Sequence, residues 1–212
     1  MCAQYEITET QRRIVSQFDL GSFPETFTPK ARARPTERLV VVRRAPGAAN
    51  EGVLLRWGLV PPFAKDLSFG TQYAINARGE TVDSKPSFRN AFRERRCIVP
   101  AKAYFEGSKK KGGVWRVSLK GEALFGMAGL WERWTSPGGE IVETYTIITT
   151  EANELVGRYS DKPEGEKRMP VILHPQDYAF WLDPANQDVA ALKALLVPYP
   201  AERMEVAPAT LH

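Results

Sequence analysis

The second residue of the chain is a cysteine. Removal of Met1, which a small following side chain permits, leaves Cys2 with a free α-amine and a thiol on adjacent carbons. Such a 1,2-aminothiol condenses with an aldehyde through an imine, and the thiol then closes a five-membered thiazolidine. Reference pKa values of about 8 for an α-amine and about 8.5 for a thiol leave both groups a nucleophilic fraction near neutral pH. Neighbouring charge can enlarge that fraction. The competing reading is a second-codon cysteine of no consequence, and position alone favours that reading.

Other chemistries find little support. The remaining cysteine is Cys97 and the histidines are His174 and His212. There is no C-x-x-C pair and no H-E-x-x-H helix, so neither a metal nor another cofactor is expected. Phosphate-cradling G-x-G-x-x-G and P-loop motifs are missing. A Ser–His–Asp triad would have to recruit one of two histidines without a G-x-S-x-G elbow. Cys97 sits in an apolar run and reads as a core thiol. Trp57, Trp131 and Trp181 read as packing residues, whereas Trp115 and Trp134 are left open.

The elements that must position these groups are short. Thr8 and Gln11 have capping-box spacing, and Ile14, Val15 and Phe18 form an apolar stripe, so a helix is predicted from Glu9 to Phe18. A polar, proline-rich connection is predicted from Phe23 to Pro35. Strands are predicted at Leu39–Val42, at Gly52–Val60 before Pro61-Pro62, and at Cys97–Val99, Ala103–Glu106, Trp115–Leu119, Ala123–Ala128, Thr144–Thr149 and Met169–Leu173. Gln72–Arg78 is a short segment before a turn at Gly79. In a helix from Ser87 to Glu94, Phe88 and Phe92 pack while Arg89 and Arg93 stay out. Further helices are predicted at Glu151–Val156, Gln176–Leu182 and Gln187–Leu196, with a polar loop from Tyr159 to Lys167. The pattern lacks the strand–helix alternation of a doubly wound sheet and implies one mixed α/β (α+β) domain over residues 1–212.

The chain has 212 residues, 43% of them hydrophobic and 25% charged, enough for a substantial core. The start MCAQYEITET shows no signal-peptide pattern, and no apolar run approaches the roughly 18 residues needed to span a membrane. A cytoplasmic protein is expected. The formal net charge of +4 is modest but uneven. Lys30–Arg44 holds six basic residues and one acidic, Lys85–Arg96 five and one, and Lys109, Lys110 and Lys111 form a third cluster. Such patches either steer a polyanion or simply form a solvated face.

A set of motifs runs through the chain in order: Met1-Cys2, RWGLVP from Arg56, NARGET from Asn76, KPSFR from Lys85, RRCIVP from Arg95, Tyr104-Phe105-Glu106, AGLWE from Ala128, TIITT from Thr146 and RMPVIL from Arg168. Together they resemble the SOS-response-associated peptidase family of abasic-site-processing proteins. The resemblance implies a curved, barrel-like core of short, mostly antiparallel strands with peripheral helices. It also implies a function: capture of abasic sites in single-stranded DNA, including junctions with duplex, through a thiazolidine on Cys2 once Met1 is removed by autoprocessing or with help. A monomer that is nucleoid-associated when on DNA is expected. The alternatives are a noncovalent single-stranded-DNA-binding protein on the same scaffold and a peptidase acting in trans.

Carried over residue by residue, the resemblance makes Cys2 the nucleophile. Asn76 orients the sugar and the N-terminal group, since an amide offers a donor and an acceptor without charge. Arg78 grips phosphate with its planar fork, although an ion pair with Glu80 is the competing reading. Glu106 shuttles protons during ring opening and thiazolidine closure, and assists loss of Met1. Pro35 and Phe63 correspond to residues that wedge between bases, while Arg32, Arg34 and Arg89 add cationic contacts. Phe63 otherwise covers the core after Pro62.

The chain departs from the family pattern in several places. Glu166 stands where the family commonly has a histidine, two residues before Arg168. It is a provisional catalytic residue in that place, with His174 as the alternative, and slower or pH-shifted ring opening or crosslink reversal is expected. Ala3 and Gln4 replace a Gly-Arg pair, Arg32 replaces an asparagine, and Ala64 removes a second stacking ring.

Overall fold

The computed structural model describes residues 3–44, 48–121 and 123–209. In chain order the elements are β1 (Tyr5–Ile7), α1 (Gln11–Phe18), β2 (Leu20–Ser22), β3 (Lys30–Ala33), β4 (Arg38–Arg44), β5 (Asn50–Trp57), α2 (Ser68–Tyr73), β6 (Asn76–Arg78), α3 (Arg89–Glu94) and β7 (Arg96–Ala101). They continue as β8 (Ala103–Ser108), β9 (Gly113–Leu119), β10 (Phe125–Thr135), β11 (Ile141–Glu151), α4 (Glu154–Gly157), β12 (Arg168–Pro170), β13 (Ile172–Leu173), α5 (Tyr178–Leu182), α6 (Val189–Ala194) and β14 (Met204–Pro208).

A strand covered on both faces reads as an unbroken apolar run rather than an alternating one. Leu39-Val40-Val41-Val42 is such a run, and all four side chains of this part of β4 are buried. The reason is closure. The order β11-β10-β7-β4-β5 returns to β11 through the parallel pairs Thr144 with Arg56 and Tyr145 with Trp57. Five strands thus close on themselves, and short strands β2, β6, β12 and β13 pair with β5, β11, β11 and β10 in turn. A second sheet, ordered β14-β9-β8-β1-β3, is reached directly from β7, whose chain passes through Lys102 into β8. The Tyr5 and Tyr145 hydroxyls, 2.9 Å apart and buried, tie the two sheets together. The fold is therefore mixed α+β, with a barrel core and peripheral helices.

Several expectations needed correction. Helix α1 starts at Gln11 and is capped by Thr10, whose side chain accepts from the Arg13 N–H; the Thr8 hydroxyl instead donates to Glu6. The stretch from Phe23 to Pro35 is not all connection, because Lys30–Ala33 pairs with β1. β5 stops at Trp57, where Gly58 takes a positive φ of 113°. β10 and β11 each run on to eleven residues and form a long hairpin around Gly138-Gly139. Glu151 ends β11 rather than opening a helix, and Asn153 caps α4 by accepting from Val156. Helix α2 and strand β14 were not foreseen.

Other expectations held. In α3, Phe88 and Phe92 are buried while Arg89 and Arg93 are exposed. Cys97 is fully buried, and burial pushes its thiol pKa up, which makes it inert. Trp57 and Trp181 are core residues, and Trp131 packs against the core under the Arg43 guanidinium. Among the described residues no helix is long and apolar enough to cross a membrane.

Candidate active site and nucleic-acid interface

Cys2 lies outside the described residues, but the strand that leads from it does not. β1 runs antiparallel to β8, with Tyr5 opposite Tyr104 and Glu6 opposite Ala103. The Phe105 N–H donates to the Gln4 carbonyl at 3.0 Å, so the pairing extends beyond β1 toward the start of the chain. One further step in this register brings Ala3 opposite Glu106. Side chains hold the segment as well. Arg32 donates to the Gln4 side-chain carbonyl at 3.1 Å and lies 3.7 Å from the centroid of the Phe105 ring. Glu6 is paired with Arg116 at 2.8 Å.

Glu106 is 5% exposed and sits in β8 opposite Trp115 of β9. It borders an open cavity of about 680 Å³ whose other walls include Ser108, Lys109, Ser160, Asp161 and Lys162. Burial raises its pKa; the Asp161 carboxylate adds to this and Lys162 opposes it. A carboxyl biased toward its protonated form while lining an open cavity is suited to giving and taking a proton.

One wall of the cavity is borrowed from a distant loop. Asp161 accepts from the Ser108 hydroxyl at 2.6 Å and from the backbone N–H groups of Lys109 and Lys110. The Ser108 hydroxyl and then these N–H groups hold its pKa below the usual carboxylate range. Tyr159 packs on Trp115 at 4.6 Å between ring centroids, fixing the loop at a second point. Sequence reasoning read this segment only as polar loop. The contact joins residues 53 positions apart, and no local pattern announces it.

Asn76 and Arg78 lie on β6, which runs parallel to β11 with Asn76 opposite Ile147 and Arg78 opposite Thr149. Asn76 is half-buried and Arg78 exposed. The expected competitor for Arg78 is otherwise engaged. Glu80 is gripped at both oxygens by Arg168, at 2.7 and 2.8 Å, and Arg78 makes no ion pair among the described residues.

Phe63 does not cover the core. It is 60% exposed and meets Phe69 edge-on at 5.8 Å, and Phe69 in turn contacts Tyr73, itself 68% exposed. Phe69 and Tyr73 belong to α2, so sequence reasoning missed two of the three rings. Arg34 is exposed and Pro35 half-buried, in a turn where Thr36 has a positive φ of 77°. The Thr36 N–H donates to the Trp57 carbonyl at 2.9 Å, which holds this strained turn in place.

Not every motif cation is available. Arg96 of RRCIVP is buried and donates to the carbonyls of Trp181, Phe92, Arg93, Asp183 and Asn186, fastening α3 to the segment after α5. Glu166 is exposed and does not border the Glu106 cavity. His174 stands elsewhere, 4.9 Å from the Tyr199 ring in a pocket of about 190 Å³ with Asp177.

The family model described as SOS response associated peptidase (SRAP) matches residues 1–211. The chain is 39% identical over 210 residues to abasic site processing protein YoqW of Bacillus subtilis (strain 168), covering 97% of this chain and 90% of that one. It is 31% identical over 190 residues to abasic site processing protein HMCES of Gallus gallus, covering 76% of this chain and 53% of that one. A crystal structure of a protein from Bordetella bronchiseptica superimposes with a TM-score of 0.84 at 30% identity, covering 99% of this chain and all of the other. Another, from Bacteroides thetaiotaomicron, gives 0.85 at 27% identity, covering 99% and 92%. The barrel fold of this chain is thus shared with other solved proteins. This chain belongs to the SOS response associated peptidase (SRAP) family.

Proposed function

We propose that this chain senses abasic sites in single-stranded DNA and joins itself to them through Cys2 after loss of Met1. The observation that carries the reading is the register of the N-terminal segment along β8, which leads the chain toward buried Glu106 at the mouth of its cavity. The Cys2 α-amine attacks the ring-opened sugar aldehyde, water leaves to give an imine, and the thiol adds to the imine carbon to close the thiazolidine. Glu106 gives a proton to the departing oxygen and can recover it from the thiol. Its proximity also suits it to assist hydrolysis of the Met1–Cys2 bond.

Asn76 orients the sugar from β6, and Arg78 holds a neighbouring phosphate. Phe63 stacks on an unpaired base, while Arg32, Arg34, Pro35 and Arg89 complete the DNA surface. Glu166 is a provisional proton-transfer residue, and reaching the cavity would require the loop to move. The substrate includes junctions of single- and double-stranded DNA, the protein acts as a monomer, and it associates with the nucleoid when on DNA.

The test is a denaturing gel of protein incubated with a single-stranded oligonucleotide containing one abasic site. A heat-stable shifted band is expected, absent with an intact oligonucleotide and absent for Cys2→Ala. A complex seen only on native gels, and equally for Cys2→Ala, would instead indicate a noncovalent DNA-binding protein.

A further inference from the structure

Lys162 borders the same cavity as Glu106 and reaches it on a loop built for delivery. Asp161, the residue before it, is locked to the β8–β9 turn through Ser108, Lys109 and Lys110. Behind it, Tyr159 is locked to Trp115. Because Asp161 stays ionised through the neutral range, this grip does not loosen there. Glu166, in contrast, is exposed and does not border the cavity. Resting on the covalent reading above, we propose that Lys162 is a positioning residue of this cavity, a cation lining the same space as Glu106 that biases when its carboxyl carries the proton used in capture.

The charged groups around Glu106 allow this assignment to be isolated. From the loop come Asp161 and Lys162, and from the β8–β9 turn comes Lys109. On β9 Arg116 is occupied by Glu6, and Arg32 from β3 is occupied by Gln4 and Phe105. Lys162 favours the Glu106 carboxylate and Asp161 disfavours it. Removing the Lys162 charge must therefore move Glu106 titration upward in pH. A single charge across a partly solvated cavity shifts a neighbour by about half a pH unit.

The experiment compares wild type, Lys162→Met and Lys162→Arg with two readouts. The first is the carboxyl carbon-13 NMR titration of Glu106 in the free protein, its resonance identified by loss in Glu106→Gln. The second is the pH profile of adduct formation with abasic single-stranded DNA. Lys162→Met is expected to move the Glu106 midpoint, and the limb of the profile that follows it, upward by about half a pH unit. Lys162→Arg should restore both. Superimposable Glu106 titrations of wild type and Lys162→Met would overturn it. So would a shift that Lys162→Arg does not reverse, because that would reflect loop packing and not charge. Wild type that shows the NMR shift but forms no adduct would uphold the coupling and overturn the covalent reading, so the two failures are distinguishable.

Discussion

Gly70→Ala isolates the contact that seats α2, and with it the exposed aromatic rings. A Cβ built on Gly70 would lie 2.2 Å from the Gly58 carbonyl oxygen and 2.7 Å from its carbon. Both are backbone atoms at a residue held at φ +113°, so no side chain can swing aside. Two effects compete. Alanine in place of glycine inside a helix gains about 1 kcal/mol from propensity. Overpacking against a fixed neighbour costs about 1–3 kcal/mol or somewhat more, and a backbone obstacle belongs at the top of that range. A net loss of about 2 kcal/mol is expected, which for a chain of this size lowers Tm by roughly 4–8 °C.

Gly138→Ala is the matched control, because its Cβ would meet only the Ser136 hydroxyl at 3.7 Å. Differential scanning calorimetry of both variants reads the outcome. Moving α2 off Gly58 also displaces Phe69 and Tyr73 and disturbs the lead into Asn76, so DNA binding should weaken in Gly70→Ala alone. A Tm for Gly70→Ala at or above wild type would refute the reasoning, since propensity would then have won over contact.

Four further outcomes are expected. Burial keeps the proton on folded Glu106 over a pH range where the unfolded chain has lost it, so folding stability falls as pH rises from the ordinary carboxylate value to the raised one. Glu106→Gln should therefore melt higher than wild type near neutral pH, with the gap closing at about pH 3, below both values; a gap of the same size at both pH values would contradict this. Cys97 should be silent toward a thiol reagent in native Cys2→Ala and react fully only in denaturant, because it is buried with a raised pKa. Phe63→Ala should cost on the order of 1–3 kcal/mol of single-stranded DNA affinity at every salt concentration. Arg78→Ala should instead reduce the salt slope by about one, so fluorescence titrations across a salt series separate stacking from charge.

What the sequence reveals and what it hides follow from the range of the interactions. The apolar run Leu39–Val42 announced a strand, and the Phe88–Phe92 spacing announced which face of α3 is buried. Both are local patterns. The closure of the barrel rests on Arg56 and Trp57 meeting Thr144 and Tyr145, almost ninety positions away, and no periodicity encodes such a pairing. The same division holds at the site. Cys2, Asn76, Arg78 and Glu106 could be nominated from the sequence because motifs carry them. Asp161 and Lys162 were not, because their place comes from a hydrogen bond between a loop and a distant hairpin. Helix α2 was missed because Ser68–Tyr73 is too short for a clear stripe, and it is held by a glycine-to-glycine contact instead. Arg96 shows the converse: a motif arginine beside a basic cluster turned out to serve backbone carbonyls of the core.

The central claim is that Cys2, freed of Met1, bonds covalently to an abasic sugar. Intact-protein mass spectrometry after incubation with an abasic single-stranded oligonucleotide tests it most directly. The expected species has the mass of the chain without Met1 plus the oligonucleotide minus one water, with peptide mapping placing the bond on Cys2. Protein confirmed to lack Met1 that remains at its unmodified mass, or an adduct that persists in Cys2→Ala, would contradict it.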